Sequence, residues 1–264
     1  MLGTGGKVSP DGVLTVSIPR NITVTLDGVH LAQGSDLAHE LDFMRIGNST
    51  LVVGELVLKE DEVNVVTREL LQAGLEETAL HNHLNRLSPR LLYMHIHGLG
   101  DAVQMATAIS TIIYSIPGGT ALADEGKVGL DTSSLDAAMG YKGETGEGVH
   151  SYGIPRADTI TMNGIALLPE MDISTGIVFQ PAGEGKAALI GEFVLEPGEV
   201  GPVIKSLSDN GIEVTALHSH MLTEQPRLFY VHCWGTGDPA QLAHGIREAI
   251  DLTNSVRSSS INLP

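Results

Sequence analysis

Cysteine is nearly absent from this sequence, since its 264 residues include only Cys233. An intrachain disulfide is therefore impossible, and a zinc site built on a CxxC motif is excluded as well. One cysteine is typical of a protein from a reducing compartment, although an exported protein of this length can also fold without disulfides. The cysteine content thus leaves the compartment open.

Basic residues are also scarce, with 15 lysines and arginines against 32 acidic residues and a formal charge of −17. So negative a chain repels a phosphate backbone, and no basic stripe in the sequence offsets that repulsion. We therefore expect no nucleic acid partner. A small cation or a neutral ligand is easier to accommodate.

Long apolar runs are missing too. No segment approaches the roughly 20 consecutive apolar residues of a membrane helix, so we predict no membrane span. The composition is otherwise that of a globular protein, with 42% hydrophobic and 18% charged residues. The length is enough for one large domain or two modest ones.

The chain contains an internal repeat. A shift of 137 residues aligns residues 54–101 with residues 191–238 without a gap, and 23 of these 48 positions are identical. Upstream the likeness continues with a one-residue slip, where "IPRNITVTLDGV" matches "IPRADTITMNGI" and Phe43 falls opposite Phe179. A repeat of this length predicts two homologous structural units.

We predict a first unit over residues 1–114, a linker over 115–131, a second unit over 132–252 and a tail over 253–264. The linker contains "SIPGGTALADEGKVG", which is rich in glycine and small residues. The second unit begins with a short helix, "TSSLDAAMGYKG", but the first unit starts where that helix would end. We therefore expect the natural N-terminus to extend further upstream. The lack of a signal peptide in this sequence then does not decide the location of the protein.

Strand patterns dominate each unit. In the first unit "NITVTLDGV", "LDFMRI" and "LVVGELVL" are predicted strands, and the amphipathic helix "EDEVNVVTRELLQAG" follows, with Gly74 at its C-terminal end. Two more strands, "ETALHNHL" and "RLLYMHIH", precede a helix that we expect Asp101 to cap. This order, repeated twice, predicts an α+β fold of two pseudo-twofold-related units, each a mainly antiparallel sheet with packed helices.

Both units contain the same three histidines within the pattern "TALHxH…PRxxYxH". They are His81, His83 and His95 in the first unit and His218, His220 and His232 in the second. Alternate side chains of a strand share a face, so His81 and His83 are expected together, and a hairpin centred near Leu87 would bring His95 beside them. Three imidazoles at that separation can bind one divalent metal ion.

Each unit also places one carboxylate, Glu55 or Glu192, inside an otherwise apolar strand. A buried carboxylate is costly unless a metal ion, an arginine or a protonated histidine pairs with it. We therefore predict Glu55 and Glu192 as further metal ligands or as catalytic general bases. Histidine and glutamate together suit zinc foremost, with manganese, iron and nickel as alternatives.

A hydrogen-bonded histidine ladder that only holds each hairpin together is the competing interpretation. The three histidine positions are retained in both units although their neighbours change, for example from Asn82 to Ser219 and from Met94 to Val231. Packing alone would tolerate other residues at these positions, so we favour a metal or catalytic site. Either one centre lies in each unit, or the units share one centre at their interface.

The retained arginines Arg20 and Arg156 also allow two interpretations. Each could pair with a carboxylate such as Glu55 or bind an anionic ligand. Each could instead form a structural salt bridge where its strand and turn meet.

The segment "GEFVLEPGEVGPVIKSLSDNGIEVTALHSHMLTEQPRLFYVHCWGTGD" and its counterpart in the first unit resemble the LppY/LpqO family, which is also known as a domain of unknown function. The likeness covers nearly the whole chain. One departure is His97, which the second unit replaces with Trp234. The resemblance implies an exported bacterial protein of the periplasm or cell envelope, in some members a lipoprotein. It implies no established activity.

Together these observations favour a divalent-metal-binding protein, and metal-dependent hydrolysis is the simplest chemistry if the protein is an enzyme. Its partner would then be a small-molecule substrate that the sequence does not identify. One alternative is a non-catalytic metal- or ligand-binding protein of the cell envelope. Another is a protein whose histidines are purely structural. The oligomeric state stays open.

Overall fold

The computed structural model describes residues 2–117 and 128–257. Its first unit consists of a strand-rich region interrupted and closed by helices. The elements are β1 (Lys7–Val8), β2 (Leu14–Pro19), β3 (Thr25–Leu26), β4 (Val29–His30), β5 (Ala38–Ile46), β6 (Ser49–Lys59), α1 (Glu60–Gln72), β7 (Glu76–His81), β8 (Leu91–Gly100) and α2 (Ala102–Ser115).

The second unit repeats this order after one additional helix and includes one additional short strand. Its elements are α3 (Thr132–Met139), β9 (Glu144–Gly146), β10 (Val149–Pro155), β11 (Thr161–Met162), β12 (Ile165–Ala166), β13 (Ser174–Pro181), β14 (Ala187–Leu195), α4 (Pro197–Asp209), β15 (Glu213–His218), β16 (Glu224–Gln225), β17 (Phe229–Gly237) and α5 (Pro239–Ile250). The short helix predicted at the start of this unit is α3, and it is confirmed.

Each unit forms a six-stranded antiparallel sheet with the same strand order. The order is β1-β2-β5-β6-β8-β7 in the first unit and β9-β10-β13-β14-β17-β15 in the second. The predicted α+β class, with two homologous units of mainly antiparallel sheet, is therefore confirmed. The unit bounds stay a prediction, because the linker 115–131 and the tail 253–264 lie partly outside the described residues.

The helices cover the outer face of each sheet. On α1, Val63, Val66 and Leu70 recur at helical spacing and are buried in the core between helices and sheet. Asp101 caps α2 as predicted, since its side chain accepts a hydrogen bond of 2.9 Å from the backbone N–H of Gln104. Within the described part of the chain, no helix has the length and apolar character needed to cross a membrane.

The inner faces of the two sheets pack against each other. Val57 and Tyr93 of the first unit share a buried cluster with Ile190 of the second, and Val53 shares another with Val194. Each sheet is thus covered by helices on one side and by the other sheet on its opposite side. The described chain forms four layers in the order helix, sheet, sheet, helix.

Three local predictions differ from the structure. The segment "NITVTLDGV" is not one strand but the hairpin of β3 and β4, because Asp27 and Gly28 adopt positive φ angles of 49° and 84°, which suit a tight two-residue turn. Strand β7 ends at His81, so His83 lies in the following turn and not on the strand. The sequence pattern also does not indicate β2.

Candidate metal centre

Strand alternation places a glutamate and a histidine of each unit on the inner face of its sheet. Leu56 of β6 packs against the helices, whereas Val57 packs against the opposite sheet. Glu55 lies on the same face as Val57 because the two are two residues apart. His95 is its direct neighbour in the pairing of β6 with β8. The second unit repeats this arrangement with Glu192 and His232.

The other two histidines of the first unit come from the end of β7. His81 pairs with Tyr93, which confirms a hairpin centred near Leu87. The ring centroid of His81 lies 5.0 Å from that of His95 and 5.2 Å from that of His83. His83 is only 2% exposed and stacks on the ring of Tyr93 at 3.4 Å. The three histidines predicted to meet therefore do so, although His83 reaches the group from a turn.

The histidines of both units meet in one cluster at the interface between the sheets. Ring centroids are 3.5 Å apart for His81 and His218, 3.8 Å for His83 and His232, and 3.6 Å for His95 and His220. When the two units are exchanged, the pair His83 and His232 becomes the pair His220 and His95, and the pair His81 and His218 becomes itself. This is the relation produced by a pseudo-twofold axis that passes between His81 and His218. The histidines of the two units thus lie together, as a centre shared between the units would require.

Both predicted glutamates contact this histidine cluster. Oε2 of Glu55 lies 3.2 Å from Nε2 of His83 and 3.2 Å from Nε2 of His95. Oε2 of Glu192 lies 3.0 Å from Nε2 of His232 and 3.8 Å from Nε2 of His220. Each glutamate therefore lies close to two histidine rings of the cluster.

Two aspartates that the sequence analysis missed complete the set of carboxylates. Oδ2 of Asp172 lies 2.7 Å from Nδ1 of His220 and 3.1 Å from Nδ1 of His95, so it joins histidines of different units. Oδ2 of Asp36 lies 3.7 Å from Nδ1 of His83. The available signal was their alignment in the repeat, because Asp36 and Asp172 are 136 residues apart, the same shift that relates Phe43 to Phe179.

A matching tyrosine fixes each of these aspartates. The hydroxyl of Tyr93 donates to the backbone carbonyl of Asp36 at 3.2 Å, and that of Tyr230 to the carbonyl of Asp172 at 2.8 Å. Both aspartates have positive φ angles, 55° and 60°. A non-glycine residue in this region costs free energy and persists where its surroundings hold it. The tyrosines thus hold an unusual backbone turn that presents each carboxylate to the histidines.

Many buried ring nitrogens of the cluster make no well-aligned hydrogen bond, even where a carboxylate oxygen lies nearby. Among the described residues, those with no hydrogen bond include Nε2 of His81 and His220 and both ring nitrogens of His83, His95, His218 and His232. A buried polar atom left without a partner costs about 1–3 kcal/mol. A divalent cation would satisfy such nitrogens, so the residues present fit a metal ion.

Four groups of three side chains have donor atoms that all lie within 4.8 Å of one another and could hold a metal ion. They are His81 with His83 and His95; His81 with His218 and His220; His83 with Glu192 and His232; and His95 with Asp172 and His220. Three of these groups combine side chains of both units.

Burial and neighbouring charge set the pKa values of the cluster. Burial, aided by the neighbouring histidines, lowers the pKa of His81 far below its usual value and that of His218 to about 2. Burial acts in the same direction on His83 and His95, but nearby carboxylates outweigh it and raise both pKa values to about 9. Because metals bind the neutral imidazole, His81 and His218 are in the binding form at neutral pH.

A cavity of about 600 Å³ opens beside the cluster, between the inner faces of the sheets. It reaches His83, both glutamates and both aspartates of the cluster. Further acids line it as well. Removal from bulk water inside the cavity and repulsion from other acids raise the pKa of Glu40 to about 8, although its side chain keeps exposed surface, and raise that of the buried Asp42 to about 7. A cavity of this size suits a small organic molecule.

The retained arginines do not reach the centre. Nη1 of Arg20 lies 2.8 Å from Oε2 of Glu62, and Nη1 of Arg156 lies 2.6 Å from Oε2 of Glu199. Each pair joins the end of a strand to the first turn of a helix. The structural interpretation of these arginines is therefore confirmed.

His97 is buried on the inner face, and burial lowers its pKa to about 4. It belongs to none of the four three-donor groups found among the described residues.

Comparison with known proteins identifies a family but no activity. No curated protein and no solved structure matches the chain. A family model described as Domain of Unknown Function (DUF1259) matches residues 1–114 and 133–252, and so covers both repeats. The chain therefore belongs to the DUF1259 family and is an internally duplicated member of it.

Proposed function

We propose that this protein binds two divalent metal ions between its units and uses them to hydrolyse a small-molecule substrate. The proposal rests on the buried cluster of imidazoles, whose ring nitrogens lack aligned hydrogen bonds and lie close to four carboxylates at the interface. Six histidines and four carboxylates exceed the four to six ligands that one ion usually takes. The donor set is therefore large enough for two ions.

Each proposed position takes one histidine from each unit. One position uses His83, His232 and Glu192, and the other uses His95, His220 and Asp172. The two groups share no member, and the pseudo-twofold exchange converts one pair of histidines into the other. Under this exchange Glu192 corresponds to Glu55, and Asp172 corresponds to Asp36. His81 and His218, stacked between the two positions, would add a ligand to either.

The donor chemistry favours zinc, which binds histidine nitrogen and carboxylate oxygen at about 2.0–2.2 Å. Manganese, iron and nickel accept the same donors and remain alternatives. Each proposed position has two histidines and at least one carboxylate, so it leaves room for a water molecule or a substrate atom.

The cavity beside the glutamates supports a hydrolytic role. A bound divalent ion would polarise a substrate oxygen and lower the pKa of a water molecule towards about 7. Glu55 and Glu192 line the cavity and contact the histidines, so either is positioned to accept a proton from water or to act as a ligand. The walls of the cavity would hold the substrate and limit the access of bulk water.

A non-catalytic metal-binding protein of the cell envelope is the second candidate. The deep burial of the histidines favours it, since His95 and His232 have no exposed surface. The resemblance of the "TALHSHMLTEQPRLFYVHCWG" segment to the LppY/LpqO family supports an exported location for either candidate. A site that only stores a metal needs no ligand-sized cavity beside it, and for this reason we prefer the hydrolase.

Elemental analysis tests the metal claim. Protein purified without a metal-affinity column should contain about two divalent ions per chain. The variant His83→Ala/His95→Ala removes one histidine from each position and should lose both ions. The control His30→Ala/His244→Ala removes two exposed histidines and should keep them. No metal in the wild type, and no uptake on titration, would disprove the proposal.

A second assay separates the two candidate functions. Chromogenic carboxylic, phosphate and sulfate esters would be tested with metal-loaded protein and with the same protein after chelation. The hydrolase proposal predicts turnover that disappears with the metal and returns on its addition. Stoichiometric metal binding without turnover of any ester class would favour the non-catalytic candidate.

A further inference from the structure

The central cavity contains more acid than the proposed metal positions need. Besides the four carboxylates of the cluster, Glu40, Asp42, Glu144 and Glu170 line it. Lys142 is the only lysine or arginine among the lining residues of the described chain. The cavity is therefore rich in acidic groups even where it does not meet the histidines.

Two of these acids distinguish the first unit from the second. Glu40 and Asp42 lie on β5, and Glu40 is the direct neighbour of Glu55 in the pairing of β5 with β6. The repeat places Gly176 and Val178 at the corresponding positions of β13. The two halves thus differ where they line the cavity, although they match in the histidine cluster.

Part of the cavity wall that the second sheet forms has no side chains, because two glycines lie there. Gly176 pairs with Gly153 across β10 and β13, and both line the cavity. A Cβ atom added to either glycine would meet no atom within 4 Å. This part of the sheet therefore leaves open space that a ligand can fill. Val53 and Ile190 add apolar surface at the side.

The additional acids do not form another metal site. Among the described residues, the groups with three donor atoms within 4.8 Å of one another all lie in the histidine cluster. Glu40, Asp42 and Glu170 are instead distributed along the cavity. Such a distribution suits an extended organic molecule with separated positive charges better than a single compact ion.

Two buried polar groups without well-aligned hydrogen bonds point to a ligand in this space. His83 is only 2% exposed and lines the cavity, and neither ring nitrogen makes an aligned hydrogen bond, although Oε2 of Glu55 lies 3.2 Å from Nε2. Oε2 of Glu170 is a buried atom without a partner. Asp42 differs from these, because it accepts a hydrogen bond from the hydroxyl of Thr15 and is thereby fixed in position.

We propose that the cavity binds an N-acylated aliphatic amine with two or more free ammonium groups as the substrate class of the metal centre, and that water cleaves its amide bond to give the free amine and a carboxylic acid. The ammonium groups pair with Glu40, Asp42 and Glu170, and the apolar chain lies along Val53, Ile190 and the two glycines. The reacting end extends to Glu55 and Glu192. This assignment of substrate class rests on the proposed metal-dependent function, but the binding of the amine can be measured independently of it.

Spermidine is a suitable probe, with triethylene glycol as a neutral control of similar length. Titration calorimetry at about 0.15 M salt would use wild type, Glu40→Gln/Asp42→Asn and the control Asp11→Asn/Glu184→Gln, which removes two exposed charges. We expect spermidine but not the glycol to bind. The affinity should fall at least tenfold, or about 1.4 kcal/mol, in the first variant only. Thermal unfolding of each variant verifies that it is folded.

Gly176→Leu gives a second test that leaves the charge unchanged. Filling the open wall should weaken spermidine binding if the amine lies inside the cavity. Equal affinity in all variants would show binding to the outer surface and overturn the proposal, as would no binding at millimolar spermidine. Metal content measured on the same samples separates the two claims. Variant-sensitive spermidine binding without any metal would refute the proposed function and retain the cavity assignment.

Discussion

At the scale of single residues, Asp172 connects a histidine of one unit with a histidine of the other. Asp172 lies within 3.1 Å of a histidine from each unit, and its backbone is fixed by the hydroxyl of Tyr230. A carboxylate in this position can bind a metal ion or orient the imidazoles that do. In both cases its negative charge favours a cation at the interface.

We predict that Asp172→Asn weakens metal binding at one of the two positions. Asparagine retains the size of the side chain but removes its charge, and losses of about 10–100-fold in affinity are typical when a supporting carboxylate is changed. Competition with a chromophoric chelator would measure both affinities. Asp209→Asn, on the exposed face of α4, is the control. Unchanged affinity at both positions in Asp172→Asn would contradict the assignment.

The sequence allows part of the site to be predicted at this scale. The histidines and the glutamates are recognisable because the repeat retains them and strand alternation gives them a common face. Asp36 and Asp172 are harder to find, since each is a single acid between different neighbours, "GSDLA" and "EMDIS". Their role depends on a positive φ angle and on contact with the other unit, which local patterns do not reveal.

At the scale of elements, one carboxylate of α3 joins this helix to the second sheet, beside the apolar contacts of Leu135 and Met139. Oδ1 of Asp136 accepts hydrogen bonds from the hydroxyl of Tyr152 at 2.9 Å and from the backbone N–H of Gly143 at 3.0 Å, and it lies 2.8 Å from Nε2 of His150. Burial acts to raise the pKa of Asp136, but these hydrogen bonds, led by that of His150, outweigh it and lower the pKa. Ionised Asp136 therefore stabilises the folded chain.

We predict that Asp136→Asn lowers the free energy of unfolding by roughly 1–3 kcal/mol at pH 7. A carboxyl whose pKa is lowered on folding contributes stability above its unfolded pKa of about 3.9 and loses it as the pH falls through the folded value. The difference between the variant and the wild type should therefore shrink below about pH 4. Urea unfolding at pH 7 and at pH 3.5 measures it. A difference independent of pH would contradict this role of the charge.

Regular elements with a strong pattern are the ones that the sequence predicts well. The apolar strand "LVVGELVL" falls within β6, and the amphipathic helix after it is α1. The segment "NITVTLDGV" alternates like a strand, but the turn at Asp27 and Gly28 divides it into two short strands. The repeat predicts two similar halves, while the packing of their sheets face to face depends on long-range contacts that periodicity does not contain.

At the scale of the whole molecule, duplication produces a site that neither unit contains alone. Two similar sheets pack through their inner faces, and the polar residues of both faces meet in the middle of otherwise apolar contacts. Each proposed metal position takes a histidine from each unit. Metal binding would therefore hold the units together and be linked to the stability of the whole chain.

We predict that removing the metal destabilises both units together. At a free metal concentration 100 times the dissociation constant, one ion adds about 2.7 kcal/mol to stability. In a protein of this size that corresponds to a decrease in Tm of about 5–10 °C on chelation. Differential scanning calorimetry before and after chelation measures the change, and adding zinc back should reverse it. The His83→Ala/His95→Ala variant should show no such response. An equal response in that variant would contradict the link.

Anomalous X-ray diffraction at the absorption edge of the bound metal is the most direct test of the central claim. Two anomalous peaks are expected between the sheets, each about 2.0–2.1 Å from ring nitrogens of both units. One peak would lie between His83 and His232 and the other between His95 and His220. Peaks bound only by the histidines of a single unit, or no peak in metal-supplemented crystals, would contradict it.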